Sequence, residues 1–190
     1  MKIPVISKWI HWRVGQKLKE YKLQTVVDIG GIGRLKNFVP FRVTDANIRS
    51  GINATNMPFE NSLFDASVSI NTIEHVKDKK KFLSEAVRVS RVVSIHWFPY
   101  GAAAQRTEKL KKKLGHNHPC SLPEYQDLVP FLNLRVVNSK FNEVVNCRDH
   151  LLMLASINEK INVEETFRFI EMYGNNPYGY MLTLELRQEK

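Results

Sequence analysis

Apolar residues recur at spacings of three and four through Ile6, Trp9, Ile10, Val14, Leu18 and Tyr21, and that period predicts an amphipathic helix. Lys8, Arg13, Lys17 and Lys19 fall on its other side. Such a helix docks its apolar stripe on a domain; a basic one also suits a membrane surface or a partner. Beyond it the pattern switches to short apolar, β-branched runs, with strand signals at 25–29, 41–45, 51–55, 64–70 and 92–97. Between them lie a short helix around 35–38 and a longer one over 79–89, whose buried set is Phe82, Leu83, Ala86, Val87 and Val89. Strands alternating with helices predict an α/β fold with a mostly parallel, doubly wound sheet.

After Pro99 the alternation loosens. Residues 102–114 read as a basic helix ended by Gly115, followed by the loop HNHPCSLP. Pro123 opens another helix through 131, and 134–141 is a strand. Helical signals fill 149–173, with Gly174 as the stop. The alternating run YMLTLEL over 180–186 is expected as an antiparallel strand beside 134–141. With no internal repeat and no low-complexity linker, one domain over 1–190 is expected. It divides into a basic helix (1–23), a ligand-binding core (24–100), an insertion (101–133) and closing strands and helices (134–190).

Composition narrows this picture. A chain of 190 residues with 43% hydrophobic content is large enough to bury its own core. Two cysteines make no disulfide framework and fit a reducing compartment. No apolar run approaches the roughly 20 residues of a membrane span, and MKIPVISKWIHWR carries no continuous signal core, so the cytoplasm is expected. The net charge of +9 favours acidic partners. Residues 1–23 and 101–115 account for the whole excess, so the basicity belongs to a face or an edge.

The strongest chemical signal is TVVDIGGIG over 25–33, read with Asp45. A β-branched run ends in an acid and breaks into glycines, which let the backbone turn sharply and approach a ligand closely. Asp45 closes the next apolar run, where a carboxylate can accept hydrogen bonds from a ribose. That is the ground plan of a nucleotide-like cofactor site.

The ordered set VVDIGGIG (26–33), VTDAN (43–47), INATNMPFENSLFDASVSINTIEHV (52–76) and KKFLSEAVRVSRVV (80–93) resembles the class I S-adenosylmethionine-dependent methyltransferases. The closest likeness is to the branch with an LPF-x4-FD-x-V-x-S-x4-EHV signature. The resemblance covers residues 24–100 and implies a Rossmann-like methyltransferase fold, a seven-stranded, mostly parallel sheet with an antiparallel last strand. It implies S-adenosylmethionine as cofactor. Asp28, Gly30, Gly31 and Gly33 would form the loop under its methionine part, and Asp45 would hold the ribose hydroxyls. Asn53 and Ala54 would line the adenine. Asn71 and Thr72 would sit at the end of the fourth strand, near the amino acid end, with Glu74 and His75 as the signature pair after them. Ile32 and Arg34 stand where glycines are common in the family, and Arg34 could narrow the loop or reach the cofactor carboxylate. Asn53 replaces an acid; its amide oxygen can still accept from the adenine amine.

For catalysis, His75 could orient substrate or act as a base, or simply start a helix. His96 and Tyr100 are further candidates for substrate contact. His116, His118 and Cys120 form H-x-H-x-C, but no second ligand cluster with standard spacing follows, so no metal site is expected. Asn176-Pro177-Tyr178 resembles the NPPY tetrad of nucleic acid amino-methylating enzymes but lies before the last strand, where a turn fits. The resulting expectation is a methyltransferase acting on a small-molecule, lipid or glycan-precursor acceptor. Lysines 109 and 111–113 would attract an anionic acceptor if they flank the pocket. The alternative is a weak or inactive methyltransferase-fold protein that binds RNA or an anionic membrane through its basic segments.

Overall fold

In the computed structural model, residues 5–99, 127–128, 132, 136–142 and 179–187 are described. Helix α1 (Val5–Leu18) precedes strand β1 (Thr25–Ile29), and strand β2 (Arg42–Ala46) follows a single 3-10 turn at Leu35–Asn37. Then come β3 (Phe64–Ile70), helix α2 (Lys79–Arg88), β4 (Ser90–Pro99), β5 (Val136–Asn142) and β6 (Gly179–Leu186). Among the described residues the sheet has six strands in the order β2-β1-β3-β4-β6-β5. The first four are parallel, and β6 is antiparallel to both β4 and β5. This is a doubly wound, Rossmann-like arrangement, with α1 and α2 on opposite faces.

The two faces divide by residue parity, as the strand period requires. On one, Trp9, Ile10, Val14 and Leu18 of α1 pack on Val26, Ala66, Val68, Val93, Ile95 and Trp97. Trp9 meets Trp97 edge-on at 5.4 Å. The apolar stripe of α1 therefore docks on the domain. On the other face, Phe82, Leu83, Ala86 and Val87 of α2 pack with Val27, Ile29, Leu182 and Leu184. Among the described residues no helix is long and apolar enough to cross a membrane.

A seventh strand was expected at 51–55, and the structure corrects this. The Asn47 side chain accepts from the Arg49 and Ser50 amides and so caps a 3-10 turn at Ile48–Ser50. Gly51 ends that turn at φ 76°, a left-handed conformation glycine adopts without penalty. Asn53 Oδ1 then accepts from the Thr55 amide at 2.9 Å. Backbone donors that a strand would direct sideways are satisfied locally. What remains is an isolated bridge between Asn53 and Asn56.

Two clusters of the 57–91 segment explain much of its sequence pattern. Arg88 grips Glu85 through two nitrogens and also donates to the carbonyls of Met57 and Phe59, while the Met57 amide donates to Glu85. The loop entering β3 is thereby fastened to α2 by charge-assisted bonds. Asp65, at the start of β3, accepts from the Gln24 and Thr25 amides, the Thr25 hydroxyl and the Arg91 guanidinium. One buried carboxylate thus holds the first turns of β1, β3 and β4 in register. Burial alone would raise its pKa; the hydrogen bonds from Arg91, Gln24 and Thr25 outweigh it and leave the net value lowered. Stability from Asp65 is therefore present above the unfolded carboxylate pKa and is lost as pH falls through the lower folded value. Asp65→Ala, which strands the two backbone donors, should cost about 2–3 kcal/mol in urea unfolding at neutral pH.

Candidate functional site

The chain leaves β1 to build β2 on one side, then crosses over to build β3 on the other. Loops after β1 and β3 therefore diverge, and a crevice opens at the carboxyl ends of the strands. It is a cleft of about 600 Å³. Gly30 and Ile32 come to it from the loop after β1, and Ala46, Asn47, Ile48 and Arg49 from the end of β2. Ile52, Asn53 and Ala54 line it from the turn that replaces a strand. Asn71, Thr72, His75 and Val76 complete it from the end of β3.

The glycine loop is shaped by two close approaches. An added Cβ on Gly30, at φ 81°, would lie 2.3 Å from the Thr72 hydroxyl oxygen. An added Cβ on Gly31 would lie 2.4 Å from the Asp28 carboxyl carbon. A side chain at either position has to push the loop off the strand ends. Thr72 donates to the Ile29 carbonyl, and Asn47 donates to the Gly31 carbonyl at 2.7 Å. The loop is thus tied to β2 and β3 as well as to its own strand. Asn71 sits at φ 51°, a conformation asparagine tolerates better than most residues, and its amide donates to the Trp97 carbonyl.

Two carboxylates stand side by side behind the loop, since Asp28 and Asp45 are register partners in β1 and β2. Asp28 is 1% exposed, and its Oδ2 has no hydrogen-bond partner among the described residues. Burial first, and the Asp45 charge second, push its carboxyl up to about 7, while Lys36 pulls the other way. Asp45 accepts from the Gly33 amide at 3.1 Å and from Lys36 at 2.7 Å. Glu74 is buried beside the cleft wall with both oxygens unpartnered among the described residues, and burial pushes it up to about 7.

Of the positions expected to form the site, Gly30, Asn53, Ala54, Asn71, Thr72 and His75 line the cleft. Asp28, Gly31, Gly33 and Asp45 form the loop and the acid pair behind it. Three expectations change. The Asn53 amide oxygen is taken by the Thr55 amide and hydroxyl rather than left for a ligand. Arg34 turns away from the loop and donates to Ser7 of α1 at 2.9 Å. His96 does not reach the pocket mouth. Its ring lies in the interior with both nitrogens hydrogen-bonded, to Ser69 and Ser94 at 2.8 Å each, and burial pulls it down to about 3. Strand parity turns it under α2, against Phe82. Tyr100, the H-x-H-x-C stretch, residues 102–115 and Asn176–Tyr178 lie outside the described residues.

Asn47, Ile48 and Arg49 line the cleft without having been singled out from the sequence; Ile32, noted there only as a departure from the glycine pattern, lines it too and is 52% exposed. Asn47 carried a readable signal, an asparagine just after an acid-ended strand, where it caps a turn. The pairing of Lys36 with Asp45 carried none, because it depends on how the loop folds back over β2.

The model for the methyltransferase domain family matches residues 38–97. Phosphoethanolamine N-methyltransferase 2 of Haemonchus contortus, solved with phosphomonomethylethanolamine and S-adenosylhomocysteine, superposes with a TM-score of 0.58 at 13% identity, over 94% of this chain and 53% of that one. The chain thus spans about half that enzyme's length. An S-adenosylmethionine-dependent methyltransferase of Archaeoglobus fulgidus gives 0.58 at 15% identity, over 92% of this chain and 94% of that one. Geranyl diphosphate C-methyltransferase of Streptomyces coelicolor, solved with Mg2+, geranyl diphosphate and S-adenosylhomocysteine, gives 0.58 at 17%, over 92% and 80%. The chain therefore has the fold and core pattern of the class I methyltransferases, for which S-adenosylmethionine is the cofactor. The cleft fits that group: it is large enough for a nucleoside, its wall is largely apolar with Asn47, Asn53, Asn71, Thr72 and His75 set into it, and a buried acid with a free oxygen lies under its loop.

The raised value of Asp28 has a stability consequence. The folded state keeps a proton that the unfolded chain releases near about 4, so this carboxyl lowers stability progressively as pH rises towards 7. In thermal unfolding of the ligand-free protein, Asp28→Asn should gain on the wild type as pH rises through that window. A constant difference would show that Asp28 ionises at its ordinary value.

Proposed function

We propose that this chain, with the class I methyltransferase fold and the methyltransferase-domain pattern over residues 38–97, binds S-adenosylmethionine and moves its methyl group to a small-molecule, lipid or glycan-precursor acceptor. The observation that carries this reading is the cleft at the β1–β3 switch point, with Asp28 and Asp45 side by side behind its glycine loop. When bound, the cofactor supplies an activated methyl on a positively charged sulfur.

The chain's own part is binding and placement. Gly30 and Gly31 let the loop close onto Thr72 and Asp28, and Asp28 keeps a free oxygen under it. Asp45 would accept from ribose hydroxyls. Ile32, Ile48, Ile52 and Val76 supply apolar wall for a planar base. Asn71, Thr72 and His75 face the cleft from β3 and would orient the reacting end. Methyl transfer depends chiefly on in-line placement of acceptor and methyl carbon, so His75 is proposed to position the acceptor, with base catalysis a secondary role. Tyr100 remains a proposed acceptor contact. The acceptor side would be built by α1 and residues 98–125 within one domain over 1–190.

An anionic acceptor suits the charge of +9. It also parallels the phosphorylated ligands bound by the Haemonchus and Streptomyces enzymes. Titration calorimetry tests the reading directly. The wild-type protein should bind S-adenosylhomocysteine, and Asp45→Ala should abolish that binding with circular dichroism unchanged. Absence of binding by the folded wild type would refute it. Salt-sensitive polyanion binding that survives Asp45→Ala would favour the RNA or anionic-surface alternative instead.

A further inference from the structure

We infer that Lys36 sets the affinity of the cleft for a nucleoside by competing with ribose hydroxyls for Asp45, an inference that rests on the cofactor reading above. Lys36 lies in the 3-10 turn just past the glycine loop. Its ammonium donates to Asp45 Oδ2 at 2.7 Å, while Oδ1 accepts from the Gly33 amide at 3.1 Å. Both carboxylate oxygens are therefore engaged by the protein itself.

The space beside Gly33 is open. A Cβ built on Gly33 meets nothing nearer than Asp45 Oδ2, at 3.8 Å. A ribose edge can approach past this glycine, and the group it meets on Oδ2 is the Lys36 ammonium. The lysine side chain is 50% exposed and the Asp45 side chain 19%. The ammonium can swing into water on its flexible stem, whereas Asp45 is held by its strand and by Gly33. Hydroxyls bond more strongly to a bare carboxylate than to one already neutralised by an ammonium. Each binding event thus exchanges an ion pair for hydroxyl contacts.

The size of the effect follows from the exposure of the pair. Ion pairs this open to water are weak, so their loss corresponds to about a two- to fivefold change in affinity. They are also screened by salt. A competing pair that salt weakens makes a neutral ligand bind more tightly at higher ionic strength.

S-adenosylhomocysteine is the probe, since its sulfur carries no charge. Its affinity is measured by calorimetry at low and high ionic strength for wild type, Lys36→Met and Lys36→Arg, with thermal midpoints as a check on folding. Lys36→Met should bind about two- to fivefold more tightly than wild type at low salt, and Lys36→Arg should match wild type. The wild-type affinity should rise with salt, and that of Lys36→Met should not. Equal affinity for wild type and Lys36→Met would overturn the inference alone. Weaker binding by Lys36→Met would also overturn it and make Lys36 a ligand contact. Failure of all three folded proteins to bind would overturn the cofactor reading, and this inference with it.

Discussion

Asp28 is buried at the end of a strand paired on both sides, and the Gly30–Gly31 turn lies directly over it. No side chain fits between turn and carboxyl. The neighbouring elements conform to that contact. Thr72 closes in from β3 and Asn47 from β2, each hydrogen-bonded to the β1 end or its loop. With the loop pinned at both flanks, the divergence of the chain after β1 becomes a cleft. A buried carboxyl with an unpartnered oxygen is costly, and its near-neutral pKa lowers that cost by keeping the proton on. A cationic group delivered at that oxygen would reverse the balance.

The rest of the polar wall is largely satisfied by the protein itself. Asp45 pairs with Lys36 and Gly33, Asn53 with Thr55, and Asn47 with the turn it caps. A preformed site of this kind needs little rearrangement of the main chain, but a ligand has to replace hydrogen bonds already made. Affinity is then set by which of these contacts yields most easily, and the half-exposed lysine yields more easily than a backbone amide.

The segment from β3 to β4 shows a different use of charge. Asp65 with Arg91 and Glu85 with Arg88 lie in the part of the chain that matches the methyltransferase-domain model, yet neither pair lines the cleft. They fasten strand starts and the entry loop, and so fix the heights of the strand ends that do line it. His96 belongs with them: its imidazole is spanned by Ser69 and Ser94, and Ser94 in turn meets Ser67 at 2.6 Å. A neutral ring with both nitrogens bonded is a packing element under α2.

The sequence alone determined the strands at 25–29 and 64–70, the apolar stripe of α1, the antiparallel closing strand and the glycine–acid loop, because each depends on local period or on residues near in the chain. The cleft-lining positions at the ends of β1 and β3 were legible through the family resemblance, which rests on the ordered motifs of residues 26–76. Tertiary structure decided what periodicity does not encode. Whether 51–55 forms a strand turned on Asn47 and Asn53 capturing backbone donors, which left the sheet at six strands among the described residues. Whether His96 faced the pocket or the core turned on strand parity against α2. The partner of Asp45 was set by a loop folding back across β2, which brings Lys36 to the carboxylate in space through a contact that no spacing in the chain predicts.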